Sequence, residues 1–157
     1  MVSSAVPGLT DAPPRWVQLI DDEDGLVVVE LDEVVAEGAP WDGFGVQLVV
    51  TVTIEDPDHE GQPYDEEHEV LGRWRTALQA ALGDDGRVVA TITADGAREH
   101  VAYVRSPAVV QAWRDAPPPG LGSHDAQVAL VPDPTWLGLR EIAGLLGEDE
   151  EPLVLPV

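Results

Sequence analysis

The sequence contains neither cysteine nor lysine. Without cysteine there can be no disulfide, no thiolate metal ligand and no thiol nucleophile. Without lysine there is no Schiff-base amine and no phosphate-loop ammonium. All eight basic residues are arginine, set against 30 acidic ones, so the formal charge is −22. That balance leaves no basic stripe to displace counterions from a phosphate backbone or to meet anionic lipid, which argues against nucleic-acid and membrane-surface partners. No apolar run approaches the roughly 20 residues that a membrane-spanning helix needs. The first fifteen residues also lack the basic and apolar regions of a secretory signal. A soluble cytoplasmic protein is the expectation. Phenylalanine occurs once, so aromatic packing rests on five tryptophans and two tyrosines.

A length of 157 residues suits one domain, and 44% hydrophobic residues suffice for a core despite the charge. Fourteen prolines and fifteen glycines imply many turns and exclude a long helical bundle. Residues 1–14 read as a flexible tail, 15–147 as a single domain and 148–157 as an acidic C-terminal tail. Habitat offers a second origin for the charge, since proteins adapted to high salt share this composition.

Two short apolar runs, Arg15–Ile20 and Leu26–Leu31, flank an acidic spacer ending at Gly25 and predict a hairpin. Asp32–Gly43 reads as a connection. Phe44–Ile54 alternates, with Val46, Leu48, Val50, Val52 and Ile54 on one face. After an acidic loop, Asp65 serves as the predicted N-cap of a helix that Gly83 stops, with Val70, Leu71, Trp74, Leu78, Ala81 and Leu82 as its apolar stripe. Arg87–Ala94 and Arg98–Arg105 predict strands around an Asp95-Gly96 turn. Ser106-Pro107 opens a short predicted helix carrying Val109, Val110 and Trp113. A strand at Ala126–Val131 and a helix with Trp136, Leu139, Ile142, Ala143 and Leu146 follow. From Phe44 onward this order predicts an α+β fold: a ferredoxin-like split βαββαβ antiparallel sheet, with an N-terminal β-hairpin addition and an extra C-terminal helix. The hairpin either extends the sheet or shields its free face.

Asp56-Pro57-Asp58-His59-Glu60-Gly61, with Glu67 at position twelve, resembles an EF-hand calcium loop. A strand rather than a helix precedes it, Glu60 is longer than the usual fifth ligand, and Pro63 removes a backbone donor. With 30 acids in the chain, a solvated loop is the expected reading, and no metal or cofactor is assigned. His59, His68, His100 and His124 show no zinc-ligand spacing, and His68 would simply offset Glu66, Glu67 and Glu69. Ser123-His124-Asp125 cannot adopt triad geometry as sequence neighbours, and no catalytic residue is assigned. The Asp-Gly turn places Thr93 opposite Arg98, Thr91 opposite His100, Ala90 opposite Val101 and Val88 opposite Tyr103. Together with Thr51 and Thr53, the residues Thr91, Thr93, Arg98 and His100 are expected to form an exposed polar face that binds a partner.

The series Trp16, Gly25, Ala39-Pro40-Trp41, Gly61-Gln62-Pro63, Thr91-x-Thr93-x-Asp95-Gly96-x-Arg98-Glu99 with Tyr103, and Asp133-Pro134-Thr135-Trp136 resembles a bacterial family known as domain of unknown function 695. The resemblance spans about residues 15–146. His100 departs from the aromatic or aliphatic residue usual there, and the C-terminal part is longer and more acidic. Some members resemble proteins that join this domain to one like regulator of ribonuclease E activity B. The resemblance therefore implies a regulatory or protein-binding role. The leading expectation is a non-catalytic domain that binds a protein, one of basic character, because an acidic surface steers a positive partner. Its rivals are a small metal-assisted hydrolase built on the acidic loop 55–69, and a housekeeping domain whose charge records salt adaptation.

Overall fold

The computed structural model describes residues 14–21, 25–38, 41, 43–108, 126–144 and 153–156. Among them seven strands form one antiparallel sheet. They are β1 (Trp16–Asp21), β2 (Val27–Asp32), β3 (Val46–Thr53), β4 (Gly86–Ala94), β5 (Ala97–Val104), β6 (Ala126–Pro132) and β7 (Leu153–Pro156), in spatial order β6-β3-β5-β4-β2-β1-β7. Three helices accompany them: α1 (Glu33–Gly38), α2 (Asp65–Leu82) and α3 (Leu137–Gly144). The chain is α+β. The β1–β2 hairpin extends the sheet along β4 instead of shielding a face. Most of the helix predicted after Ser106-Pro107 lies outside the described residues, as does His124. No described helix is long and apolar enough to cross a membrane.

Two predicted irregular stretches contain regular structure. Within the expected connection 32–43, the Asp32 carboxylate accepts a hydrogen bond from the Val34 backbone N–H and starts α1, whose Val35 is fully buried. Within the expected acidic tail 148–157, Leu153–Pro156 pairs with β1, Ile20 opposite Leu153 and Val17 opposite Pro156. Both elements are too short to carry a period, and each is held by a partner distant in sequence.

Helix α2 is the best-defined local element. Asp65, Glu66 and Glu67 fill its first turn, where the backbone dipole favours negative charge, although Tyr64 rather than Asp65 is the N-cap residue. Gly83 follows the last turn at φ +56°, a left-handed conformation that favours glycine. Leu71, Trp74, Leu78 and Leu82 are buried against Leu48, Val50, Val52 and Ile54 of the β3 segment. Each such side chain contributes on the order of 2 kcal/mol by leaving water.

The opposite face of the sheet is covered too. Val17, Leu31, Val89, Ala90, Val101 and Tyr103 pack with Val35 from α1 and Trp136 and Leu139 from the α3 region. A sheet covered on both faces explains why β4 and β5 are buried along most of their length. Tyr103 and Trp136 stack with centroids 3.9 Å apart. The Tyr103 hydroxyl donates to Asp133 at 2.7 Å and accepts from the Leu139 N–H and the Gln47 amide. Burial, and then the bond to Asp133, push the Tyr103 hydroxyl pKa up. Burial pushes Asp133 the other way from its bonds, but hydrogen bonds from Tyr103, Gly138 and Leu137 outweigh it and leave the carboxyl below the usual range. Asp133 thereby caps α3 while Tyr103 fastens that helix to the sheet.

Candidate functional site

The β4–β5 hairpin has the register that its Asp-Gly turn predicts: Thr93 faces Arg98, Thr91 faces His100, and Ala90 faces Val101. Beyond that point a β-bulge between Val88 and Ala90 shifts the ladder. Val88 therefore faces Ala102, and Arg87 takes the place opposite Tyr103. A bulge re-aims the side chains beyond it. Here Arg87 reaches the buried Asp32 carboxylate at 2.6 Å.

The expected exposed polar face does not exist in that form. Across the next ladder Val50 faces His100 and Val52 faces Arg98, whereas Thr51 faces Glu99 and Thr53 faces Ala97. Directly opposed residues share a face, so Thr51 and Thr53 lie on the other side of the sheet. Thr91, Thr93, Arg98 and His100 point with Val50 and Val52 toward α2, and all four are at most 4% exposed. The turn determines register within its own hairpin. It says nothing about which way the β3 ladder is set.

The four residues do come together, as a buried polar cluster. Arg98 donates from Nε to Thr93 at 2.8 Å and from Nη2 to Nδ1 of His68, on α2, at 3.1 Å. Since arginine only donates, Nδ1 of His68 is the acceptor there. Thr91 and Nδ1 of His100 share a hydrogen bond of 3.2 Å. Nε2 of His100 and Nε1 of Trp74 are buried without a partner among the described residues. Burial lowers the Arg98 pKa and Arg75 lowers it further, while Glu30 and Glu67 act against both. Burial first, then the positive charges of Arg98 and Arg75, lower His100 to about 3. The ring is neutral at physiological pH.

Arg98→Ala is accordingly expected to destabilise the fold, by about 1–3 kcal/mol, because the Thr93 hydroxyl is left buried without its donor. Urea unfolding measures it. An unchanged midpoint would show that the guanidinium contributes nothing inside the fold.

The residues Asp56, Asp58, Glu60 and Glu67 are not assembled around a common point. Glu67 accepts from the backbone N–H groups of Glu55 and Asp56, at 2.6 and 3.1 Å. Asp58 Oδ1 accepts from the N–H groups of Glu60 and Gln62, at 2.8 and 3.0 Å. The Gln62 bond, and then the Glu60 bond, hold the Asp58 carboxyl below its usual range. Among the described residues no three of His, Asp and Glu form a metal-sized group.

These bonds instead lock the loop 55–64 against the hairpin turn. The Gly96 N–H donates to Gly61 O at 3.0 Å, and the Ile54 N–H donates to Gly96 O at 2.9 Å. Gly61 sits at φ +78°, and a Cβ there would stand 2.9 Å from the Gly96 nitrogen, so only glycine fits. The Gln62 amide donates to both Leu26 O and Thr93 O, at 3.2 Å each. The result is one end of the molecule, built from loop 55–64, the first turns of α2 and the Asp95-Gly96 turn. Asp56, Glu60, Asp65, Glu66, Glu69 and Asp95 are exposed there.

Two residues of this end, Gln62 and His68, have no site role that the sequence predicts, and Gly61 enters there only as the sixth position of the calcium-loop pattern. Gln62 lies between Gly61 and Pro63, a loop signal that is also part of the family-resemblance series. His68 has none, because its partner Arg98 is thirty residues away.

A family model described as a family of unknown function, DUF695, matches residues 15–141. No curated protein matches the chain, and no solved structure matches it.

Proposed function

Since the chain belongs to the DUF695 family, whose function is unknown, we propose from its geometry that it is a non-catalytic binding module whose acidic end docks a basic segment of another protein. The observation that carries this reading is the locked loop. Asp58 and Glu67 bind backbone N–H groups and fix the loop, while Asp56, Glu60, Asp65, Glu66 and Asp95 face solvent around it. A charged surface that is already ordered loses little entropy on binding, and its field speeds encounter with a cation-rich partner. The buried cluster of Arg98, His100, Thr91 and Thr93 has a supporting part: it ties α2 and the hairpin beneath that surface.

We also propose that the unit from β3 to β6 is the split βαββαβ arrangement. The order β6-β3-β5-β4, with α2 linking β3 to β4, supports this. Its second helix would be the one expected after Ser106-Pro107.

The test is calorimetric titration of the full chain with an Arg- and Lys-rich peptide at near-physiological salt. The variant Asp56→Asn/Glu60→Gln/Glu66→Gln should lose at least tenfold in affinity. A control of equal charge change at the other end of β4 and on α3, Asp84→Asn/Asp85→Asn/Glu141→Gln, should lose less than about threefold, because exposed charges beyond a Debye length are screened. Equal losses would reduce the effect to net charge and overturn the reading.

A further inference from the structure

A cavity of about 540 Å³ opens between α2 and the strands β1, β2 and β4. That volume is typical of small-molecule sites. Trp16 comes from β1, Asp32 from the end of β2, Arg75 and Gln79 from α2, and Arg87 and Val88 from β4. The cavity is separate from the acidic end and from the buried Arg98 cluster.

Both guanidinium groups are held in place by the fold. Arg87 is fixed by Asp32 at 2.6 Å, with both side chains buried. Arg75 lies over the Trp16 ring, 4.1 Å from its centroid, and its Nη1 is 3.3 Å from Glu30. About a quarter of the Arg75 side chain remains exposed. Of the two carboxylates in the wall, Asp84 lies at the solvent side, and Asp32 offers little to a ligand: its Oδ1 accepts from the Arg15 and Val34 N–H groups, its Oδ2 accepts from Arg87, and the residue is fully buried. The Gln79 amide is likewise engaged, donating to Gly86 O and accepting from the Val88 N–H. The wall thus carries two arginines, each held by a carboxylate, beside an indole and a valine side chain.

We propose that this cavity binds a small organic anion: an oxyanion head met by Arg75 and Arg87, on an apolar body that packs against Val88 and the rim of Trp16. Guanidinium forks match planar oxyanions in geometry and charge. Carboxylate and phosphate heads share this chemistry.

Titration calorimetry of the full chain with 3-phenylpropionate, phenyl phosphate and neutral 3-phenylpropanamide tests the proposal and separates the two heads. At least one anion should bind with Kd below about 1 mM, and the amide at least tenfold more weakly. Arg75→Gln should weaken the anion at least tenfold. Thr76 is an exposed α2 residue in the same wall. Thr76→Trp should fill the space and abolish binding with both arginines intact, so the proposal stays testable if Arg75→Gln fails to fold. Amide and anion binding alike, no binding by either anion, or unchanged affinity in either folded variant would overturn it.

Discussion

Asp32→Ala is expected to lower the unfolding free energy by about 3–5 kcal/mol, which is a large part of what an ordinary domain possesses. The carboxylate is the common acceptor for three donors: the Arg15 N–H, the Val34 N–H and the Arg87 guanidinium. It is fully buried, and Arg87 is 5% exposed. Its removal takes from the buried Arg87 guanidinium the carboxylate at 2.6 Å and also takes away the cap of α1. The energetic weight lies in breaking the pair, because desolvation offsets much of what the intact pair contributes. The double variant Asp32→Leu/Arg87→Met should therefore recover more than half of the loss seen for Asp32→Ala. Chemical denaturation of the two variants decides it. Equal loss in both would mean that packing around Asp32, and not the loss of this counter-charge to Arg87, sets the cost.

Acid should unfold this protein earlier than its carboxylates alone require. His100 has a folded pKa of about 3 and an unfolded value near 6.5. At any pH between the two, the unfolded chain binds a proton there that the folded chain refuses. Stability tied to His100 is thus complete above pH 6.5 and is lost as pH falls toward 3. The loss reaches about 2.5 kcal/mol on going from pH 7.5 to 4.5, and about 4 kcal/mol by pH 3. Asp58 and Asp133, whose carboxyl pKa values are lowered in the fold, add their own losses mainly below pH 4. Between pH 6.5 and 4.5 the difference between the wild type and His100→Leu isolates the histidine. The variant should show a shallower fall in urea midpoint over that window, and parallel curves would show that His100 does not titrate differently in the two states.

What could be read from the sequence was what short-range geometry determines. The α2 stripe follows from its 3.6-residue period, and the hairpin register near Asp95-Gly96 follows from a two-residue turn. The bulge at Val89 left no mark in a run of valines and alanines, and it alone moved Val88 from Tyr103 to Ala102. The face assignment of Arg98 and His100 failed for a different reason. It depends on how β5 is set against β3, a pairing between residues 44 to 58 positions apart (Thr53 with Ala97, Val46 with Val104) that no turn controls. A polar residue beside a threonine reads as solvated, yet here two such pairs, Arg98 with Thr93 and His100 with Thr91, are buried under a helix. The cavity was illegible for the same cause, since its wall is drawn from β1, β2, α2 and β4.

The outermost strand carries a consequence for the order of assembly. A ribosome releases β1 well before β7, which covers its outer edge. β2 acquires its inner neighbour β4 midway through synthesis. Until Leu153–Pro156 emerges, Val17, Leu19 and their backbone donors border an unpaired ladder, the kind of edge on which nascent chains pair with one another. The four closing residues thus act as a latch on a hairpin made long before them. The chain after Pro156 therefore leaves the sheet beside the first residues of β1.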